Sequence, residues 1–251
     1  MNLVNRINDF ISKISVEEII KQAVKFPGVK VKREKFLRKE LKKYCTDEQI
    51  NSAILTTPQK AKISPDIIEK IADSCISHET WFTSTLSFGA GIAGGVVMAL
   101  TITADLAQYF AHILIIAQEL AYLYGWPQLF EETNSVNDEF DSDSSSVLLV
   151  FTGVMFGVET SNNVLKVLSK SVGTSKFGRD IIRIIAKQAF YKPLQEILKQ
   201  IGIKFNQKVM KQLFAKVCPL AGAFLSGGLT YWSFRPMCNN LKKSLILCPQ
   251  S

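Results

Sequence analysis

The sequence predicts an all-α protein, a multi-helix globular bundle with Gly/Ala-rich, tightly packed central apolar helices. Three observations carry this. Helix-start chemistry precedes the periodic stretches, Gly and Pro breakers separate them, and segments that alternate with period two are few and short. Ser15-x-x-Glu18 is a capping box and opens a helix over 16–25. Phe26-Pro27-Gly28 ends it, and a second helix follows over 32–45. Thr46-x-x-Gln49 is a second capping box, opening 47–55. After Thr57-Pro58, Ser64-Pro65 supplies an N-cap and a first-turn proline for a helix over 65–86.

The apolar middle reads as two helices, 88–102 and 104–124, the second stopped by Gly125-Trp126-Pro127. An acidic, Ser-rich loop at 131–146 follows, and then helices over 147–170, 177–200, 204–216 and 219–246, with Gly173 and Gly202 as breakers. The expected organisation is an N-terminal helical segment, 1–64, packing on a helical domain that spans 65–251.

Apolar residues make up 47% of the chain and charged residues 21%, which excludes disorder and is greasy for an ordinary soluble domain. Five widely spaced cysteines, with no C-x-x-C, argue against a disulfide framework or a zinc knuckle and for a reducing compartment. Asp9, Glu17 and Glu18 interrupt the place a signal peptide would need apolar, so the expected location is cytoplasmic. From Lys166 onward, fifteen Lys and Arg stand against only Asp180 and Glu196. That bias suits an anionic partner, with Lys187, Lys192, Lys199, Lys204, Lys208 and Lys211 as the contacts to lipid or another anion. Nucleic acid fits poorly, because no stacking aromatics are interleaved in a known motif.

Two stretches are almost free of charge: Thr80–Gln118, where Asp105 is the only formal charge, and Val217–Phe234, which has none. Each is long enough to raise the transmembrane question, since about 20 apolar residues span a bilayer. Both carry Thr, Ser and Gly throughout, which favours buried core helices able to dip into a membrane, with shallow insertion of 86–124 left open.

Gly89, Gly91 and Gly94 form a literal G-x-G-x-x-G. A dinucleotide fingerprint needs a preceding strand and an acid about 20 residues on, and the context supplies neither in register. Small residues recurring every four positions read better. Ser87, Gly91, Gly95 and Ala99 make one ridge, and Gly222 and Ser226, with Gly227 and Gly228 beside them, make another. Such ridges let helices approach closely.

Asp105, His112 and Glu119 recur every seven residues, with Gln108, Tyr109 and Tyr122 nearby. They read either as a polar pocket for a small molecule or as the wet edge of an amphipathic helix. One helix cannot bring the three onto one metal ion, because seven residues rise about 10.5 Å. His78-Glu79 starts like a zinc-protease helix, but Phe82 stands where the second histidine belongs. No motif assigns a catalytic residue, a cofactor or a metal. Nothing in the sequence sets the oligomeric state.

Residues 81–126, WFTSTLSFGAGIAGGVVMALTITADLAQYFAHILIIAQELAYLYGW, resemble the EcsC family of bacterial proteins. The resemblance rests on a Gly-rich apolar stretch, an ADL turn and a helix ending in YLYGW. CPLAGAFLSGGLTYWSF, residues 218–234, is similar to that family's second Gly-rich segment at Pro219, Gly222, Gly227 and Gly228, but Ala221 and Ala223 stand where glycine is common. FPGVKVKREKFLRKELKKYC, residues 26–45, fits a subset of relatives, so the likeness covers about 15–246 and makes 65–251 the EcsC-like domain. The family is named for a gene beside an ABC transporter operon and brings no established activity or cofactor. The resemblance supports a cytoplasmic bacterial protein working at or near the membrane. With the charge and hydrophobicity it makes the leading expectation a non-enzymatic protein, peripheral at the cytoplasmic face of the cell membrane, whose partner is the anionic surface or a membrane protein such as a transporter. The alternative is a small-molecule binder or enzyme using a polar pocket around Asp105, His112 and Glu119.

Overall fold

The computed structural model describes residues 16–92, 98–130, 142–174, 195–204 and 222–248, with side chains described over 18–84, 106–130, 146–170, 195–204 and 233–248. These residues form nine helices and no strand: α1 (Val16–Val24), α2 (Arg33–Leu41), α3 (Asp47–Leu55), α4 (Pro65–Ile92), α5 (Met98–Leu123), α6 (Ser142–Met155), α7 (Glu159–Thr174), α8 (195–204) and α9 (Gly222–Leu247). The all-α expectation holds.

The centre is α5. Phe110, Ile113, Leu114, Ile116, Ala117, Leu120 and Ala121 are all buried, as α1, α2, α4, α6 and α9 pack around this helix. Leu106–Leu123 is long and apolar enough to cross a membrane, but 67% of that window is covered by protein, as befits a core helix. A single apolar core includes Ile19, Leu37 and Ile50 from the N-terminal segment alongside Phe110, Phe151 and Leu241.

Side-chain bonds sew the segment to α5. The fully buried Gln118 amide donates to the carbonyls of Val29 and Leu114, both at 2.7 Å, and accepts from the Val31 N–H at 3.1 Å. It does for the loop what a neighbouring strand would otherwise do, pairing main-chain groups that burial would leave costly. The Thr46–Gln49 capping box forms as expected, with both reciprocal bonds present.

Three expected boundaries are corrected. A separate helix over 88–102 does not exist, because α4 runs on to Ile92 and α5 begins at Met98. His112 lies 2.7 Å from Glu79, whereas 33 residues of straight helix would separate them by about 50 Å, so α4 and α5 run antiparallel. Between their ends the sequence places Gly94-Gly95, a costly pair for a helix interior. Ser87 and Gly91 therefore sit on α4 and Ala99 on α5, not on one ridge, and Gly95 lies outside the described residues. The expected helix over 147–170 is two helices, split at Gly157 (φ +68°). There the Val158 N–H reaches the Gly153 carbonyl and the Gly157 N–H reaches that of Val154, a Schellman stop. Gly202 does not break its helix, since α8 continues to 204.

The α6–α7–α8 contact is tight at Gly153. A Cβ there would collide with the Ser161 side chain and come within 2.7 Å of Ile197 Cγ2. Gly153→Ala is expected to destabilise by about 2 kcal/mol through overpacking, read as a lowered midpoint in urea unfolding.

α9 also runs antiparallel to α4. Lys242 Nζ bonds Asp73 at 2.7 Å, and Arg235 reaches the Ser77 hydroxyl at 3.5 Å. α4 and α9 lie together along their lengths, so the helices carrying Ser87, Gly91, Gly222, Ser226, Gly227 and Gly228 are neighbours. Those residues' side chains lie outside the described set.

Candidate functional site at the seam of α4 and α5

The chain has two histidines, and both converge on one carboxylate. Glu79, 6% exposed, sits on α4 with His78 beside it and His112 opposite on α5. His112 Nδ1 is 2.7 Å from Glu79 Oε2, and His78 Nδ1 is 3.3 Å from Oε1. His112 is nearly enclosed, whereas the His78 side chain is 72% exposed, so Glu79 links a buried imidazole to a solvated one. Phe82 covers the group, its ring centroid 4.9 Å from that of His112. The second histidine absent from position 82 is thus supplied by another helix. Even so, no group of three or more potential ligands suited to a metal ion occurs among the described residues.

One turn further down the seam, Cys75 faces Glu119. Burial, then the charges of Glu79 and Glu40, push the Glu119 carboxyl up to about 8, against the opposing pull of Lys39 and a hydrogen bond with Cys75. Burial also raises the Cys75 thiol well above its ordinary value, so it is a hydrogen-bond donor and not a thiolate nucleophile. Lys39 Nζ, 2.8 Å from Glu40, closes the outer edge of the cluster. The seam therefore lines up Glu79, His112, Cys75 and Glu119 between α4 and α5, with buried Thr80 and Thr83 close by on α4.

Of the six residues expected to form one polar pocket, the four with described contacts fall in separate places. His112 and Glu119 belong to the seam. Tyr109 turns to α9, its hydroxyl 3.6 Å from Met237 Sδ and its ring 5.7 Å from that of Phe234. The Tyr122 hydroxyl donates to the Val31 carbonyl at 3.2 Å and accepts from the Leu129 N–H at 3.3 Å, on the side facing α2. Gln108 is half-buried, and the side chain of Asp105 lies outside the described residues.

Of the six lysines expected to meet an anion, Lys187, Lys192, Lys208 and Lys211 lie outside the described residues. Lys199 is exposed. Lys204 donates to the carbonyls of Gly157 (2.6 Å) and Phe156 (3.1 Å), so its charge complements the C-terminal end of α6. The basic surface that sequence reasoning overlooked is α2 and its flanks, where Lys30, Lys32, Lys35, Arg38, Lys39, Lys42 and Lys43 are all solvent-facing. Their density in KVKREKFLRKELKK was the available signal.

The contacts above also fix a level across the bundle. Ser77–Phe82 of α4, Tyr109–His112 of α5 and Phe234–Met237 of α9 lie side by side. On one side of that level, α4 from Thr80 to Ile92, α5 from Met98 to Gln108 and α9 from Gly222 to Phe234 hold one formal charge, Asp105. Lys242, Asp73, Glu119, Lys39 and the whole of α2 lie on the other. At the level, Trp81 is 63% and Phe82 38% exposed.

Comparison with protein-family models, with curated proteins and with solved structures returns no match for this chain.

Proposed function

We propose that this chain is a non-enzymatic helical protein of the cytoplasmic face of a bacterial membrane, held there by its uncharged end and assisted by its basic surface. The observation behind this reading is the gathering of three nearly charge-free helix ends, from two segments far apart in sequence, on one side of the bundle. A soluble domain has no need to collect charge-free helix ends on one side, whereas a membrane accepts an end of that composition. Of the solvent-facing cations of α2, those at the end nearer that level, around Lys39, add attraction to anionic lipid, worth about 1 kcal/mol for each one within a Debye length of the surface. The stretches that carry the EcsC resemblance, 81–126 and 218–234, include these helix ends, which supports a membrane location and makes a transporter the membrane protein to test by co-purification.

Vesicle flotation tests the reading. The chain is expected to float with anionic vesicles at low salt and to be released only in part by high salt, which screens the lysines but not the apolar contact. Recovery at the bottom of the gradient with both anionic and neutral vesicles would sink it.

A further inference from the structure

We infer that the uncharged end enters one leaflet of the bilayer and stops there, with Trp81 and Arg235 marking the headgroup plane. The inference rests on the membrane reading above and adds its depth. The α4–α5 hairpin bounds that depth, because the 27 residues between Trp81 and Tyr109 must both enter and return. From Trp81 to Ile92, α4 has 11 steps, or about 17 Å at 1.5 Å per residue. From Tyr109 to Met98, α5 again has 11, or about 17 Å. Both arms match half of the roughly 30 Å hydrocarbon core, and a hairpin of this length cannot reach across its full thickness.

The chemistry at the level fits an interface. Trp81 is the large exposed aromatic, and indole favours the headgroup zone, where its ring is in apolar contact and its N–H is wet. Arg235 follows directly on the charge-free run of α9 and contacts Ser77 on the polar side, where a cation meets phosphate. Asp105 lies one helical turn beyond Tyr109, about 6 Å in, which is shallow enough for the interfacial zone. The other polar side chains near the level, Glu79, His78 and His112, contact one another on the water side.

Depth-resolved quenching of the full-length chain on anionic vesicles tests this, with lipids brominated either near the headgroup or near the acyl-chain terminus. The difference between wild type and Trp81→Phe isolates the Trp81 signal from Trp126 and Trp232. That signal is expected to be quenched at least twofold more by the shallow bromines. A second indole, introduced as Ile92→Trp in the Trp81→Phe background, is expected to show the reverse preference. If the chain floats but both indoles report the same depth, the end lies flat and the inference is overturned. It is equally overturned if Trp81 is quenched best by the deep bromines, which would mean the helices pass the midplane. A chain that fails to float overturns the membrane reading and this depth together.

Discussion

Arg33→Met is expected to destabilise the fold by about 3 kcal/mol, read from urea unfolding, with Arg33→Lys recovering less than half. Arg33 is 9% exposed, and its guanidinium is spent on main-chain carbonyls: Ile54 at 2.7 Å, Ala53 and Trp126 at 3.0 Å, and Thr56 at 3.1 Å. Three of these carbonyls belong to the end of α3, where no further helical N–H exists to satisfy them. The cation also opposes the partial negative charge that the helix gathers there. Burial works against it, lowering the Arg33 pKa from its ordinary value, so the site carries a desolvation cost as well as the bonds. Methionine removes that cost but strands two buried acceptors, the carbonyls of Ala53 and Trp126, and two part-buried ones, and a buried unsatisfied acceptor costs about 1–3 kcal/mol before relaxation. Lysine keeps the charge but cannot present a planar fork to several carbonyls at once. A loss under about 1 kcal/mol would mean that water replaces the guanidinium, and the cap would then be incidental.

Arg33 also shows where sequence reading stops. In KVKREKFLRKELKK it is one more cation among lysines, and nothing local separates the buried one from the exposed ones. Local chemistry was legible: the Thr46 capping box, Ser64-Pro65, and the stop at Gly125, which has φ +89°. Gly157 was not, because it lies in an apolar run whose helical spacing continues on both sides, with no proline to flag it. The seam was legible only in halves. His112 and Glu119 stood out at a spacing of seven, whereas His78-Glu79 was set aside for want of a histidine at position 82. What joins the halves is the reversal between α4 and α5, a tertiary fact that brings groups 33 residues apart to 2.7 Å. The same reversal divides the apparent ridge from Ser87 to Ala99 between two helices. The charge-free runs were visible as composition, but their gathering at one end depends on α9 running antiparallel to α4.

Glu119→Gln is expected to stabilise the protein at alkaline pH and to do nothing at pH 4. The folded-state pKa of Glu119 is raised to about 8, from 4.5 in the unfolded chain, chiefly by burial and then by the nearby charges of Glu79 and Glu40. A raised pKa means that the folded state holds the proton more tightly. The stability contributed by the neutral carboxyl is therefore complete below about pH 4.5 and is lost as pH rises through about 8. The interval corresponds to about 5 kcal/mol, a ceiling because the side chain keeps partial exposure and solvent screens part of the penalty. The substituted amide would stay neutral throughout, so the gain of the variant over wild type should grow from nothing at pH 4 to several kcal/mol at pH 9. Urea unfolding across that range measures it. A gap that does not change with pH would show that Glu119 titrates normally and that the seam is open to water. If the gap grows, ionising Glu119 places a second carboxylate beside Glu79, in the stretch of the α4–α5 hairpin that underlies the uncharged end. Like charges there push the two helices apart, so the same variant should also keep the chain bound to anionic vesicles at pH 9, where wild type is expected to be partly released.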